Sequence, residues 1–453
     1  MSSPEGFRDL TPLITPRSVA VVGASASAGK LGHTILKNIL DAGFAGPVVP
    51  VNPRADAILG RPCAKSLDDL PDPVDLAVVI IPAVAVPEAI AACGRRGIPA
   101  AVVITGGFAE SGEEGARLQA ALTEAAARHG VRLLGPNCQG INNPHHGLCA
   151  SWPLLTARGA LAVVSQSGTV GAALMDWAAE DGLGVSCFAA LGNRAVVDEA
   201  DLIAALGRDP HTRCIALYLE GIKDPAKFAA AARGCPVPLV ALKPGRTPRG
   251  RAAAESHTKS LAGDDAIYAG FFRQHGVHRA DDVEALYDAA RALAYLPRPR
   301  GRRLLIVTSS GGCGVLAMDA ASVHGIETPP PPPAMAEGLR AFLPPHCIIG
   351  NPLDLTGDAT AAWYRRVAEL AAPHYDAIAP IFGDPIPGAA DAVEAPPTPC
   401  VICLGGGDVE RAERRRLHAR GIPVFPTPER GMRALAALLP PTGVAGSRFT
   451  GCG

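Results

Sequence analysis

Short β-branched runs that end at glycine or serine and pass straight into Ala- and Leu-rich amphipathic segments recur along this chain. That alternation constrains the fold more than any other feature. It is the pattern of βαβ units, and it predicts parallel sheets flanked by helices. In the first third the expected strands are "SVAVVGA" (18–24), "GPVVPVN" (46–52), "DLAVVIIP" (75–82), "AAVVITGG" (100–107) and "VRLLGPN" (131–137). The pattern restarts with "ALAVVSQSG" (160–168), "GVSCFAALGN" (184–193), "CIALYLEG" (214–221) and "PLVALKPG" (238–245). A long loop is expected after residue 245, up to a helical pattern opening at Asp264, and "DDVEALYDAARALAYL" (281–296) reads as a closing helix. "PRPRGRR" (297–303) reads as a linker, and a third unit opens at "RLLIVTSSGGCGVLAMDAA" (303–321). Further strands are expected within 350–358, 375–383, 399–407 and 421–438, and the proline run at 328–334 as an extended turn.

The 453 residues suit about three domains. They divide as 1–150, a doubly wound nucleotide-binding domain, then 151–298 and 299–442, two further α/β domains, with 443–453 a flexible tail. No strict repeat is visible between the three segments.

Composition excludes several classes of function. Net charge is −1 and aromatics are 4%, so neither a basic nucleic-acid surface nor a base-stacking platform is indicated. The start, "MSSPEGFRDLTPL", lacks the basic and apolar regions of a signal peptide, and no run of about 18 uncharged apolar residues occurs. A cytoplasmic chain with reduced thiols is expected. Of the twelve cysteines only Cys400 and Cys403 are close, in an expected strand where positions three apart face opposite ways. They read as packed thiols, not as a metal or redox pair.

A strand feeding a glycine turn feeding a helix aims backbone N–H groups and the positive end of the helix dipole at one point, which suits an anion. Three such turns occur: "GASASAGKLG" (23–32), "SQSGTVG" (165–171) and "SSGGCG" (309–314). The first is not a P-loop, because Lys30 is followed by Leu31 where a hydroxyl is needed for Mg²⁺. It lacks G-x-G-x-x-G as well. After the second strand come Asn52, Pro53 and Arg54 instead of the acid that would hold a ribose diol, and an arginine there favours a phosphorylated ribose, as in NADP or coenzyme A. Each turn also has a purely structural reading. His257, among small polar residues in "AAAESHTKSLAGDDA" (252–266), has neither the bulky neighbours of a core histidine nor partners at metal-ligand spacing. His145 and His146, adjacent in a loop, read as solvent-facing.

These motifs in this order resemble the α subunit of ADP-forming (NDP-forming) acyl-CoA synthetases, relatives of succinyl-CoA synthetase. The resemblance covers about residues 10–440. It is carried by "SVAVVGAS", "VVPVNP" (48–53), "GFAESGEEG" (107–115), "GPNCQGINN" (135–143), "VSQSGTVG" (164–171), "ALGNRAVVDEADLI" (190–203), "LYLEGIKDP" (217–225), "SHTKSLAG" (256–263), "SSGGCGVLAMD" (309–319) and "GNPLDLTGDA" (350–359). It implies a Rossmann-like CoA-binding domain followed by two flavodoxin-like, succinyl-CoA synthetase-like domains. Gly23, Ser25, Lys30 and Arg54 would then lie near CoA phosphates, and Pro82, Asn137 and Cys138 at the CoA cleft. His257 would carry the phosphoryl group and Glu220 would orient it. Ser165, Gln166, Ser167 and Gly168, with Ser310, Gly311 and Gly312, would form two helix starts holding phosphate.

The implied reaction is acyl-CoA + phosphate + ADP ⇌ acid + CoA + ATP, through an acyl phosphate and a phosphohistidine, with Mg²⁺ on the nucleotide. Three α/β domains consume the length, so a separate ATP-grasp β subunit is expected to bind ATP and ADP. Lys259 stands where the family has a glycine. It supports a competing expectation, a non-catalytic CoA- or acyl-CoA-binding protein that keeps the fold. An NADP-dependent oxidoreductase rests on the strand–turn–helix alone. The acid, the preference for ADP over GDP and the oligomeric state have no signature in the residues.

Overall fold

The computed structural model describes residues 6–71, 73–258, 264–394, 398–403 and 405–440, without the side chains of 254–258 and of residue 403. The chain divides into two compact units, Met1–Ala290 and Arg291–Gly453. The first unit holds two large sheets and the second unit one.

The first sheet is built from β1 (Val19–Val22), β2 (Val48–Val51), β5 (Leu76–Val79), β6 (Ala100–Val103) and β7 (Arg132–Leu134), in the order β2-β1-β5-β6-β7. All its pairings are parallel. A small hairpin, β3 (Ala57–Ile58) with β4 (Arg61–Pro62), lies outside it. β1, β5 and β6 are buried along their whole length, because helices cover both faces of a parallel sheet. That is why these strands read as unbroken apolar runs. Phe108 and Leu122 are fully buried in the sheet's core.

The second sheet contains β10 (Arg158–Ser165), β11 (Val185–Ala190), β12 (Cys214–Tyr218), β13 (Leu239–Leu242) and β14 (Val277–Ala280). On its β11 edge it gains an antiparallel hairpin, β8 (Ile141–Asn143) and β9 (Leu148–Ala150), giving β14-β13-β12-β10-β11-β8-β9. The segment expected to form the first domain, 1–150, thus ends on strands whose hydrogen bonds belong to the second sheet. Neither that hairpin nor β14 is apparent from the alternation pattern. β8 carries two asparagines, both buried, whose amides donate to the carbonyls of Leu155 and Ile14.

The second unit's sheet comprises β15 (Leu304–Thr308), β16 (Leu353–Asp354), β17 (Ala377–Phe382), β18 (Thr398–Pro399), β19 (Val401–Cys403) and β20 (Val424–Phe425). Its order is β16-β15-β17-β19-β20, with β18 against β17. The proline run ends inside structure, since a helix begins at Pro333, where a missing N–H costs nothing.

Setting aside the hairpins and β18, all three sheets have one winding. The first strand lies between the second and third, and the fourth and fifth follow outward. Each has its switch point between its first and third strands, where α/β sheets bind ligands at the strands' carboxyl ends. The three segments repeat in topology though their sequences do not align by eye.

Candidate functional site

The switch point of the first sheet lies between β1 and β5. Gly23 leaves β1 with φ of +90°, and a Cβ there would lie 2.2 Å from the Ile80 carbonyl oxygen, so only glycine lets the two strand ends close up. Asn52 ties the neighbouring loops together. Its amide donates to Ala24 O at 2.7 Å, and its Oδ1 accepts from the backbone N–H groups of Arg54 and Ala55. A cavity of about 320 Å³ opens here, lined by Gly23, Pro53, Lys65, Ile81 and Arg95 among others. Lys30, at the N-cap of the helix Leu31–Asp41, is exposed, as are Arg54 and Pro82, and Ser25 is half-buried. Sequence reasoning missed Lys65 and Arg95, two cations at this cavity. They already pair with Asp56 at 2.6 Å and Glu88 at 2.8 Å.

The larger cavity, about 890 Å³, also lies in the first unit, and it gathers most of the other expected residues. Asn137 and Cys138 line it, with Gln166, Ser167, Gly168 and Glu220. Each comes from the carboxyl end of a strand. Ser167 is the N-cap of the helix Gly168–Glu180, and its hydroxyl accepts from the Val170 N–H at 3.4 Å. The first N–H groups of that helix have no partner within it, so the cavity wall at Gly168 and Thr169 is electropositive. Ser165, fully buried behind the turn, fixes its shape by donating to Ser167 O at 2.5 Å and accepting from Ser167 N at 3.2 Å. Its hydroxyl is therefore used within the turn.

Glu220 lies two residues beyond β12 and lines the same cavity as the helix start. Burial raises the Tyr218 phenol above its usual range, and the nearby Glu220 charge raises it further. The opposite rim is held by a polar chain. Glu110 accepts from the N–H groups of Gly107 at 2.6 Å and Phe108 at 3.0 Å, and from the Asn193 amide. Burial opposes its ionisation, but the Asn193 amide and those backbone donors outweigh it and hold the carboxyl below the usual range. Asn137, with φ of +55°, donates to Asn193 Oδ1 at 3.3 Å. Gly192 makes this approach possible, since a Cβ there would lie 2.2 Å from Pro136 O. Trp152 and Pro153 form an apolar wall.

Cys138 is not a reactive thiol. It is buried, donates to Val103 O at 3.3 Å, and burial pushes its thiol up to about 12. A thiolate is what reacts, and none forms there near neutrality.

The expected CoA residues therefore occupy two places, the Gly23 switch point and the large cavity. A row of hydrogen bonds connects them, from Thr105 Oγ1 to Ile81 O at 2.7 Å and from Asn137 N to Thr105 O at 2.8 Å. The stretch after β13 is not the long loop expected. A helix, Pro248–Thr258, occupies it, and His257 lies in its last turn. The His257 side chain and Lys259 lie outside the described residues. Ser310, Gly311 and Gly312 belong to the second unit, where Ser310 is the N-cap of the helix Gly311–Val323 and both glycines are exposed. His145 and His146, expected to face solvent, are each half-buried, with ring nitrogens on Gly159 O and Pro16 O. They are fixed in the fold by backbone carbonyls. Cys400 is buried, with its thiol on Gly431 O at 3.2 Å, while the Cys403 side chain lies outside the described residues. Among the described residues no cluster of three His, Cys, Asp or Glu side chains is placed to hold a metal, and no helix is long and apolar enough to cross a membrane.

Known proteins match this arrangement along nearly the whole chain. Residues 17–144 match a CoA-binding domain, 158–293 a succinyl-CoA ligase-like flavodoxin domain, and 304–383 a ligase-CoA domain. The α subunit of acetate–CoA ligase (ADP-forming) I from Pyrococcus furiosus is 38% identical, over 95% of this chain and 97% of that one. The α subunit of the corresponding ligase II from the same organism is 36% identical, over 94% and 96%. A solved structure, the dinucleotide-forming acetyl-coenzyme A synthetase 1 of Ca. Korarchaeum cryptofilum in complex with phosphate and ADP, superposes with a TM-score of 0.89 at 37% identity, covering 95% of this chain and 96% of that one. With its sheets, its carboxyl-end cavity and these relatives in agreement, the chain belongs to the α-subunit family of ADP-forming acyl-CoA synthetases, acid–thiol ligases of the succinyl-CoA synthetase type.

Proposed function

We propose that this chain is the CoA- and phosphohistidine-bearing subunit of a synthetase that interconverts acyl-CoA, phosphate and ADP with acid, CoA and ATP. The observation that carries the reading is the cavity of about 890 Å³, whose lining brings together a carboxylate, Glu220, a serine-capped helix start and Asn137. A helix N-terminus in a partly closed cavity stabilises phosphate charge without a metal.

CoA lies along the carboxyl ends of the first sheet. Its phosphates sit near Gly23, Ser25, Lys30 and Arg54, and its thiol end passes Pro82 and Asn137 into the cavity. A phosphate oxygen attacks the thioester carbonyl, the C–S bond breaks, and CoA leaves with a proton. A ring nitrogen of His257 then attacks phosphorus, the P–O bond to the acyl group breaks, and the carboxylate leaves. Glu220 accepts a hydrogen bond from the N–H of the other ring nitrogen, which fixes the tautomer and raises the basicity of the attacking one. An oxygen of the ADP β-phosphate finally takes the phosphoryl group from His257. Ser310, Gly311 and Gly312, in the second unit, form a helix start of the same kind, which suits a phosphate.

An ATP-grasp partner chain, holding the nucleotide with Mg²⁺, completes the enzyme in a cytoplasmic heteromer. The support is that the full-length relatives are named α subunits, whereas this chain spans 63% of a ligase from Archaeoglobus fulgidus whose name carries no subunit designation. The test is to mix the chain with an ATP-grasp β partner, labelled ATP and Mg²⁺. Label that is acid-labile, base-stable and absent from His257→Ala is the expected result. No label with a partner that is competent toward another α subunit overturns the reading, and CoA binding by the first sheet becomes the function to pursue.

A further inference from the structure

The resemblance assigns Gln166 to phosphate, but the structure commits its side chain elsewhere. Gln166 is 9% exposed. Its Oε1 accepts from Glu220 N at 2.7 Å and from Gly221 N at 3.2 Å, and its Nε2 donates to Gly221 O at 2.9 Å. One amide thus makes three hydrogen bonds to two consecutive residues, a pairing that fixes which end is oxygen.

A second grip closes on the same peptide. Arg194 Nη1 donates to Gly221 O at 2.8 Å and to Glu199 Oε2 at 3.3 Å. Glu199 is buried, and its other oxygen accepts from Lys223 N at 3.0 Å. Lys223 Nζ returns to Arg194 O at 3.0 Å. Residues 220–223 are therefore held by a closed circuit from β10, the 191–198 loop and the next helix. Arg194 keeps φ of +54°, a conformation costing about 1 kcal/mol or more for a residue with a side chain. Such strain persists only where its surroundings over-determine it.

We infer that Gln166, with Arg194 and Glu199, is a positioning clamp that holds the Glu220 carboxylate in working geometry, and that Gln166 does not bind phosphate through its side chain. The inference rests on the reading of Glu220 as the carboxylate that orients the phosphorylated histidine. A carboxylate that must meet one ring nitrogen loses rate when its backbone wanders by an ångström, because productive geometry is no longer pre-paid.

The test uses the reconstituted enzyme with its ATP-grasp partner. Single-turnover phosphorylation from ATP and the phosphate KM in the forward direction are measured for wild type, Gln166→Met, Gln166→Glu, Glu220→Gln and the double variant Gln166→Met/Glu220→Gln. Methionine keeps the volume and removes all three bonds, whereas glutamate keeps the two acceptor bonds. Gln166→Met is expected to lower the single-turnover rate about 30-fold with the phosphate KM unchanged within about threefold. Gln166→Glu, which keeps those two bonds but sets an oxygen against Gly221 O, should recover only part of that loss. The double variant should be no slower than Glu220→Gln alone, because residues acting as one unit are not additive. Arg194→Lys, which touches the same carbonyl, serves as the second probe if Gln166→Met does not fold, and the same rate loss is expected of it. A raised phosphate KM with the rate kept, or strict additivity with Glu220→Gln, overturns the clamp alone. Absence of label on wild type overturns the reading of the site and the clamp with it.

Discussion

The turn after β10 and the turn after β15 are the same device built twice, with the acid supplied from opposite sides. In the first, Ser165 bonds the N–H and carbonyl of Ser167. In the second, Thr308 Oγ1 does the same to Ser310, at 2.9 and 2.8 Å. The residue between reaches across to the third strand of its sheet in both. Gln166 Oε1 accepts from Glu220 N, and Ser309 Oγ accepts from Gly383 N at 3.1 Å. Since Ser165 pairs with Tyr218 and Thr308 with Ile381, Gly383 occupies the place of Glu220. The acid has moved to the other side. Asp354, paired with Thr308 on the β16 edge, lies where Ala190 pairs with Ser165. The scaffold sets where an anion can sit, and which neighbouring strand carries the acid decides from which side a carboxylate meets it.

The largest effect should come from removing that asymmetry at the first turn. Glu220→Gln is expected to lower single-turnover phosphorylation of the chain by about 10²–10⁴-fold, the usual weight of a positioned acid–base group. The fold should survive, since its backbone bonds to Gln166 remain. A rate within a factor of three of wild type would make the two turns functionally equal and remove Glu220 from the chemistry.

Alkaline pH separates the regions in another way. Burial holds the thiols of Cys93 and Cys138 up at about 12 and that of Cys235 at about 11, all in the first unit, against an ordinary value of 9.0. A raised folded-state value means stability that is whole below pH 9 and lost as pH rises toward 11–12, because the unfolded chain ionises first. Burial raises the Cys149 and Cys187 thiols of the same unit too, and at pH 10 each such thiol costs on the order of 1 kcal/mol. Urea midpoints of the first unit at pH 8 and pH 10 measure this, and Cys93→Ala should recover about a fifth of the loss. An unchanged midpoint would mean that these thiols are already ionisable in the folded chain.

Gly383→Ala tests the second turn. A Cβ at this position would lie 2.7 Å from Ser310 Cβ, a contact that no side-chain rotation relieves. Overpacking of this kind costs about 1–3 kcal/mol. Unfolding of the second unit should shift by that amount, whereas Glu220→Ala in the first should shift stability by less.

How much of this was legible beforehand follows from what each feature depends on. Fourteen strands announced themselves as short apolar runs bounded by turn residues, because a strand buried on both faces has little room for polar residues. β8 did not, because Asn142 and Asn143 are buried there by bonding carbonyls far away in sequence. The serine-glycine turns and Glu220 were visible as motifs. The match between 165–171 and 308–314 ([ST]-x-S-G-x-x-G in both) emerges only once the strands are paired, since two hydroxyls and two glycines are too few to stand out in 453 residues. The helix at 248–258 was hidden by Gly250 and by a run of small and polar residues of weak amphipathicity. Gln166 with Arg194 and Glu199 around residues 220–223, and Asn193 on the rim with Glu110, were beyond reach. Their partners lie 5–83 residues away, and nothing local distinguishes a glutamine that binds phosphate from one that binds backbone.

The smallest effect concerns Asp354. Its Oδ1 accepts from Thr356 N at 2.9 Å, and its Oδ2 would lie 2.9 Å from a Cβ on Gly311, the first residue of the helix. A carboxylate so placed already answers the helix dipole, a contribution of about 0.3–1 kcal/mol. It also puts negative charge where an incoming phosphate would be drawn. Asp354→Asn, nearly the same in shape, should therefore do two opposite things. It should destabilise the second unit by that small amount and tighten phosphate at the second turn by about two- to fivefold. Titration of the chain with inorganic phosphate, followed by ³¹P line width, reads the second quantity. If phosphate weakens instead, the carboxylate organises the turn for the anion, and the two turns differ in which edge of the sheet supplies the acid and not in whether one is present.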